Sequence, residues 1–176
     1  PAHTLEWRSC YNGRSNSVGY PAFKIVDDDA LFSTWGVQAG WSIRNLGAGI
    51  TTTVVSVDSE IQLTVTADIF GNNAFYAVYS GWTRFDNLGS VNRLLPFTLT
   101  EEPFGMSATF NLDNSESSYD AYDLRNKQIR LGRGVTVLGT DYLSYPATMR
   151  CTGQSDMTAR KVTYSIVCNG GYSILA

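Results

Sequence analysis

The chain has 176 residues, of which 43% are hydrophobic and 16% are charged. This composition predicts a folded chain rather than a disordered one, and the length suffices to bury a substantial core. The formal net charge is −3, so a basic surface for nucleic-acid binding is not expected. Because no run approaches the roughly 20 apolar residues of a membrane-spanning helix, we expect no membrane insertion.

Residue types that support metal or acid–base chemistry are scarce. The three cysteines, Cys10, Cys151 and Cys168, show no metal-binding spacing, and the only histidine is His3. A zinc site and a Ser–His–Asp triad are therefore not expected, and no cofactor is predicted. The run "VDDDA" (26–30) lacks the later bidentate carboxylate of a calcium loop, so it indicates a solvated turn.

Most of the chain shows the period-two alternation of half-buried strands, most clearly in "EIQLTVTADIF" (60–70). Further strands are predicted, in chain order, over 49–57, 74–82, 95–99, 106–112, 128–132, 135–139, 147–151 and 161–168. Segments rich in Gly, Asn and Asp separate them as turns. Many short strands joined by polar turns predict an all-β fold, an antiparallel β-sandwich of immunoglobulin-like or jelly-roll type.

Helical signals are confined to one short segment. Asp113 precedes Glu116 by three residues, the spacing of a capping box, so a turn or two of helix is expected within 113–123. Since no linker-like break interrupts the chain, we expect one β-sandwich binding domain over 1–170. Residues 171–176 are expected to be a tail or the start of a linker to a following domain.

The cysteines bear on the location of the protein. Strand alternation places Cys151 and Cys168 on apolar faces, so both thiols are expected to point into the core. We expect a disulfide worth roughly 3 kcal/mol, and the pairs Cys151–Cys168, Cys10–Cys168 and Cys10–Cys151 are all open. The alternative is three buried, reduced thiols. A disulfide, together with a chain that starts at Pro1, fits an exported protein.

The segment "SSYDAYDLRN" (117–126) concentrates aromatic and polar side chains in a predicted loop. Aromatic faces can stack on the C–H side of a sugar, while carboxylates, amides and guanidinium groups bind its hydroxyls. The alternative is a solvated connection steadied by local hydrogen bonds. On the first interpretation, the ligand-binding candidates in this segment are Tyr119, Asp120, Tyr122, Asp123, Arg125 and Asn126.

A second candidate segment is "SGWTRFDNLGSVNR" (80–93). If the preceding strand continues, Trp82, Arg84 and Asp86 share one side of it. They are predicted to form a ligand-binding patch, and the alternative is a surface ion pair under a stacked indole.

Two further aromatic segments have different expectations. "DYLSY" (141–145) supplies Asp141 and Tyr142 as ligand-binding candidates on a third loop. In "STWGVQAGW", the even spacing of Trp35 and Trp41 favours a core position or a packing role instead.

Catalysis has little support in the residue inventory. A retaining glycoside hydrolase needs two carboxylates about 5 Å apart. The glutamates show no evident pair; they are Glu6, Glu60, Glu101, Glu102 and Glu116. Without a nucleophile motif or a histidine base, no enzyme activity is predicted. A binding module needs only rigid strands and loops with aromatic and polar groups, which this composition supplies.

In architecture, the chain resembles the N-terminal receptor-binding (lectin) domain of two-domain chaperone–usher fimbrial tip adhesins. The resemblance depends on the exported start, the run of strands, the few cysteines, and the C-terminal "VTYSIVCNGGYSILA", which passes through "NGG" as if into a linker. It implies an immunoglobulin-like sandwich that binds host glycans or proteins through its loops, followed by a pilin-like domain. Because no motif matches residue by residue, the resemblance implies no binding residues.

These observations together predict an extracellular recognition domain at a cell surface or fimbrial tip. The expected partners are a glycan or host-surface receptor and a pilin domain or subunit. The alternatives are a secreted glycoside hydrolase of jelly-roll type and a structural pilus or surface-assembly subunit. Release of reducing sugar would favour the hydrolase, whereas a chain that is oligomeric or insoluble alone would favour the subunit.

Overall fold

The computed structural model of the protein describes residues 2–16, 22–87, 92–103, 105–145, 148–155 and 163–170. These residues form strands and turns without a helix. The predicted fold class, all-β and sandwich-like with antiparallel sheets, is confirmed. Within the same ranges, no helix is long and apolar enough to cross a membrane.

The strands belong to two compact units. Unit 1 comprises Pro1–Arg8 and Trp82–Ala176, and unit 2 comprises Ser9–Gly81. The expectation of one domain over 1–170 stays a prediction. In chain order the strands are β1 (Ala2–Arg8), β2 (Cys10–Arg14), β3 (Lys24–Val26), β4 (Ser42–Asn45), β5 (Thr51–Val57), β6 (Gln62–Val65), β7 (Phe75–Tyr79), β8 (Thr83–Arg84), β9 (Thr98–Glu102), β10 (Gly105–Asp113), β11 (Gln128–Val137), β12 (Thr140–Ser144), β13 (Thr148–Gln154) and β14 (Thr163–Gly170).

Unit 1 is built on an eight-stranded sheet in the order β8-β1-β11-β13-β14-β10-β9, with β12 paired to β11. Successive side chains of a strand point to opposite faces, so alternation decides which residues are buried. On β10, Phe110 is fully buried and lies opposite Ile166 of β14, which is fully buried as well. The period-two patterns of these two strands therefore mark the core face of unit 1.

Unit 2 is built on a six-stranded sheet in the order β2-β7-β4-β5-β6-β3. It has a core of its own, in which Ile43, Leu63 and Val78 are fully excluded from solvent. A turn between strands also contributes to this core through Phe32, which is fully buried. Strand β2 lies at one edge of the sheet.

The helical turn expected within 113–123 does not form, and neither does its capping box. The Ser115 N–H donates to Asp113 Oδ1 at 2.9 Å, and Glu116 pairs with Arg93. Both side chains of the expected box are therefore engaged elsewhere, and the segment forms turns instead. Short acidic side chains compete with a helix in this way, because their oxygens bond nearby backbone N–H groups.

Strand boundaries differ from the predicted ones where the chain reverses. Strand β11 continues from the segment predicted over 128–132 into the first part of the segment predicted over 135–139, and it ends at Val137. Leu138 and Gly139, which both have positive φ, form the turn that leads back into β12. The loop predicted over 141–145 is therefore largely strand. A hydrophobic pattern does not encode the backbone dihedral angles that close such a hairpin.

The cysteines lie in different units. Cys151 of β13 and Cys168 of β14 are opposite each other in the strand register, and both are 0% exposed. Cys10 lies on β2 in unit 2. All three are free thiols in the structure. A hydrogen bond with Cys151, together with burial, raises the pKa of Cys168.

Two neighbouring alanine substitutions test the alternation of β14. Ile166→Ala removes a fully buried side chain and leaves a cavity, so we expect the free energy of unfolding to fall by about 2–5 kcal/mol. The matched control, Val167→Ala, removes a side chain that is 42% exposed and should cost less than about 1 kcal/mol. Urea unfolding followed by tryptophan fluorescence measures both changes. Equal losses would contradict the assigned faces.

Candidate functional site

A depression of about 380 Å³ on unit 2 brings aromatic and polar side chains together. Strand β2, the turn after β3, the turn over 32–36 and strand β7 supply its lining. It thus combines two aromatic side chains, two carboxylates, an amide and a guanidinium group. We call it the Trp35 pocket; its lining residues are Asn12, Gly13, Arg14, Asp27, Asp29, Trp35 and Phe75.

Asp27 holds the wall of the Trp35 pocket together. The residue is only 4% exposed. Its Oδ2 accepts hydrogen bonds from the Tyr76 hydroxyl at 2.6 Å and the Arg14 N–H at 3.1 Å. Its Oδ1 accepts one from the Asp29 N–H at 3.0 Å. These donors make the buried carboxylate tolerable, and burial together with the bond to Asp27 raises the pKa of Tyr76.

Gly13 leaves the space in which this hydrogen-bond network forms. A Cβ atom at position 13 would lie 2.3 Å from the Tyr76 hydroxyl oxygen and 2.4 Å from Asp27 Oδ2. Any side chain at this position would therefore displace both groups from a close-packed wall. The glycine in the edge strand β2 is explained by this close approach.

Trp35 is presented by a turn that is anchored on two sides. Phe32 is buried in the core, and its ring meets the Trp35 ring edge-on at a centroid distance of 5.7 Å. Glu60 accepts hydrogen bonds from the Thr34 N–H at 3.1 Å and the Thr34 hydroxyl at 2.9 Å. The same bonds lower the pKa of Glu60. The indole therefore occupies a defined position at the rim of the pocket.

Tyr11 and Trp41 extend the aromatic surface of unit 2. The Tyr11 ring is nearly parallel to that of Trp35, with an interplanar angle of 8° and a centroid distance of 5.0 Å. It is also parallel to Trp41, at 1° and 6.5 Å. All three side chains are half-buried and pack against the core of unit 2. The predicted packing of Trp35 and Trp41 is thus observed, and Trp35 lines the pocket in addition.

Trp82 has a different environment, on unit 1. The guanidinium carbons of Arg8 and Arg130 lie 4.4 and 4.2 Å from its ring centroid. That of Arg130 also lies 4.0 Å from the Tyr145 ring centroid. Glu6 accepts hydrogen bonds from Arg130 at 2.6 Å and from the Tyr145 hydroxyl at 3.0 Å. The guanidinium groups and the Glu6 carboxylate beside Trp82 are therefore already engaged in cation–π contacts and an ion pair within unit 1. A ligand would need such polar groups as partners.

Arg84 and Asp86 form an ion pair, but Asp86 is buried, so the pair differs from the surface ion pair that was the alternative to a binding patch. Their two hydrogen bonds measure 3.1 and 3.0 Å, and Asp86 is 0% exposed. The hydrogen bonds to Asp86 raise the pKa of Arg84. Asp86 also accepts the Leu5 N–H at 2.8 Å. Its carboxylate is therefore not available to a ligand in this arrangement, which corrects its assignment to the patch.

The predicted loop site over 117–126 is only partly exposed. Tyr119 is 0% exposed and donates its hydroxyl to the Phe85 carbonyl oxygen at 2.6 Å. The expectation that Tyr119 presents a flat face to a ligand is corrected, because the ring lies in the core. Asp123 and Arg125 are exposed and pair with each other at 2.9 Å. Hydrogen bonds from Arg125 lower the pKa of Asp123.

The other candidates of unit 1 are mostly exposed. Asp120 accepts a side-chain amide N–H at 2.8 Å, and Asp141 accepts a threonine hydroxyl at 2.6 Å. Tyr122 is half-buried, Asn126 adopts a positive φ of 63°, and Tyr142 is 62% exposed. A role for these residues in ligand binding stays a prediction.

The Trp35 pocket was not predicted from the sequence, because side chains from four separate segments form it. The run over 26–30 reads as a solvated turn, but its first carboxylate, Asp27, is buried. The sequence contains two features that mark these segments: a glycine among polar residues in β2, and Trp35 followed by a glycine. In the structure this glycine, Gly36, has a φ of 70°. Neither feature shows that the two segments meet.

Comparisons with known proteins add no relatives. No protein-family model matches the chain, and no curated protein or solved structure matches it. In the part of the chain that the structure describes, no group of three or more His, Cys, Asp or Glu side chains could hold a metal ion.

Substitution of Gly13 tests the close approach at the pocket wall. Gly13→Ala places a methyl group against Tyr76 and Asp27, so we expect a loss of about 1–3 kcal/mol in the free energy of unfolding. Gly71→Ala is the matched control, because nothing lies within 4 Å of the added Cβ, and its effect should stay within about 0.5 kcal/mol. Chemical denaturation measures both, and a neutral Gly13→Ala would show that the wall is not packed as described.

Proposed function

We propose that this protein is an extracellular recognition domain that binds glycans through the Trp35 pocket. The observation that carries the proposal is the convergence of an anchored indole with carboxylate, amide and guanidinium groups around one depression. Such a site is mostly concave and carries a few placed polar groups, as small-molecule sites do.

The chemistry of the pocket suits a sugar. Tyr11 covers one face of the Trp35 indole, and Arg14 lies over one face of the Phe75 ring. The opposite faces of the two rings can meet the C–H side of a pyranose. Asn12 can donate to and accept from hydroxyl groups, and the exposed carboxylate of Asp29 accepts from them. Hydroxyls need both kinds of partner, because each one donates once and accepts twice.

The role of Asp27 supports binding rather than hydrolysis. A glycoside hydrolase needs two carboxylates whose oxygens reach the scissile bond. The oxygens of Asp27 already accept three hydrogen bonds from protein groups, and the residue is nearly buried. The carboxylate therefore serves to position β2 and the turn that carries Asp29.

The biological setting we propose is adhesion to a glycan-bearing surface, with a fimbrial tip as the location. A single shallow pocket binds weakly, and display of many copies would raise the apparent affinity without any new contact.

Alanine substitution at Trp35 tests the proposed site. Trp35→Ala removes the stacking surface, while Phe32 and Glu60 still anchor the turn, so we expect binding to immobilised oligosaccharides to weaken about tenfold or more. Trp35→Phe should retain part of the affinity. Val167→Ala, which shortens an exposed side chain of unit 1 that is not a ligand-binding candidate, is the control and should bind as the wild type does. Glycan arrays followed by calorimetry on the hits measure the affinities. Unchanged binding in Trp35→Ala would refute the site.

A Cys151–Cys168 disulfide is the second part of this proposal, because an extracellular domain folds under oxidising conditions. The opposed, buried positions of the two residues support this pair over those involving Cys10. In its formation the two thiols give up two protons and two electrons to glutathione disulfide, which becomes two glutathione thiols.

Refolding in a glutathione redox buffer tests the pairing. We expect peptide mapping by mass spectrometry to find Cys151 linked to Cys168, with Cys10 free, and a stability gain of about 3 kcal/mol over the reduced protein. Cys10→Ser should leave the linkage intact. Three free thiols after refolding, or a linkage through Cys10, would contradict the pairing.

A further inference from the structure

The charges around the Trp35 pocket are unbalanced. Its described lining holds two carboxylates, Asp27 and Asp29, and one guanidinium group, that of Arg14. A third carboxylate, Asp28, stands between the two aspartates in the chain, is exposed, and accepts a hydrogen bond from the Asn16 side-chain amide. Acidic groups thus outnumber basic ones at the rim.

Among the described residues that line the pocket, Arg14 is the only cation, and its position limits its attraction for an anion. Its guanidinium carbon lies 5.3 Å from the centroid of the Phe75 ring, so the group rests over an aromatic face. Asp29 lines the same pocket, and its N–H bond to Asp27 sets its position, so an anion bound in the pocket would meet both charges. The attraction of an anion to the Arg14 guanidinium is therefore offset by its repulsion from the Asp29 carboxylate.

Neutral sugars avoid this conflict. The exposed carboxylate of Asp29 offers two acceptor oxygens, which suit the hydroxyl protons of a sugar and repel a carboxylate or sulfate. Asn12 contributes both a donor and an acceptor without adding charge. The same groups that favour hydroxyls therefore disfavour anions.

We propose that the Trp35 pocket is specific for neutral glycans and rejects glycans that carry carboxylate or sulfate groups. This specificity depends on the proposed glycan-binding function of the same pocket. The ligand class is thus a neutral pyranose with hydroxyl groups beside its apolar face, and the acidic turn that carries Asp28 and Asp29 is the element that determines the choice.

A paired array tests the specificity with the intact chain. Neutral gluco-, manno- and galacto-oligosaccharides are immobilised, each beside its own sulfated derivative, and binding is measured at two salt concentrations. We expect any neutral sugar that binds to do so at least about tenfold better than its sulfated form. The preference should shrink at high salt, because screening weakens the repulsion.

Charge substitutions test which residues set the preference. Asp28→Asn keeps the shape of the turn and removes a charge outside the lining, so the neutral sugar should bind unchanged and the sulfated form about two- to fourfold better. Asp29→Asn should reduce the preference for the neutral over the sulfated sugar further, and it should weaken binding of the neutral sugar modestly. Arg14→Gln is a control for which the opposite change is expected. Removal of this cation should increase the preference for the neutral sugar. Circular dichroism confirms that each variant is folded.

The outcomes separate the two proposals. If neither the neutral nor the sulfated sugars bind the wild type, the glycan-binding function itself fails, and the specificity fails with it. If sugars bind but the sulfated forms bind equally well or better, only the specificity is overturned. Unchanged preferences in all three folded variants would likewise overturn the role of these charges.

Discussion

The buried carboxylate of Asp27 is the constraint on which the candidate site depends. Its two oxygens accept the Tyr76 hydroxyl and the backbone N–H groups of Arg14 and Asp29, so one side chain joins an edge strand, a central strand and a turn. A charged group in this position is costly unless all its oxygens find donors. Gly13 supplies the space for that arrangement, since a Cβ atom there would collide with both partners. The pocket is therefore held in shape before any ligand arrives.

The two aromatic sites considered for binding differ in how far their polar groups are already engaged. On unit 1, the indole of Trp82 is flanked by guanidinium groups, and that of Arg130 is itself paired with Glu6. On unit 2, the indole of Trp35 borders an open depression, and Asp29 at its rim is exposed. Similar residue types therefore stabilise the surface around Trp82 and leave hydrogen-bonding groups for a ligand around Trp35. The two sites differ in whether their polar groups already have partners within the protein, and not in amino-acid composition.

Strand periodicity predicted the parts of the fold in which one face is buried and the other is not. The alternation over β10 and β14 places Phe110 and Ile166 in the core, as their patterns indicate. Prediction failed where local hydrogen bonds or dihedral angles decide the outcome. Asp113 bonds to the Ser115 N–H instead of capping a helix, and Leu138 adopts a positive φ that turns β11 back into β12. Such choices are made by single contacts, which a period of two residues does not record.

The sequence by itself determined that this chain is all-β, which faces of its strands are apolar, and that acidic and aromatic residues are available for recognition. These properties follow from local patterns, because a strand exposes alternate residues wherever it lies in a sheet. Only the tertiary structure decided that Tyr119 is buried, that Asp27 is a buried anchor rather than part of a solvated turn, and that Trp35 meets Arg14 and Asp29 at one depression. The physical reason is that burial and convergence depend on which distant segments pair, and strand pairing is set by contacts far apart in the chain.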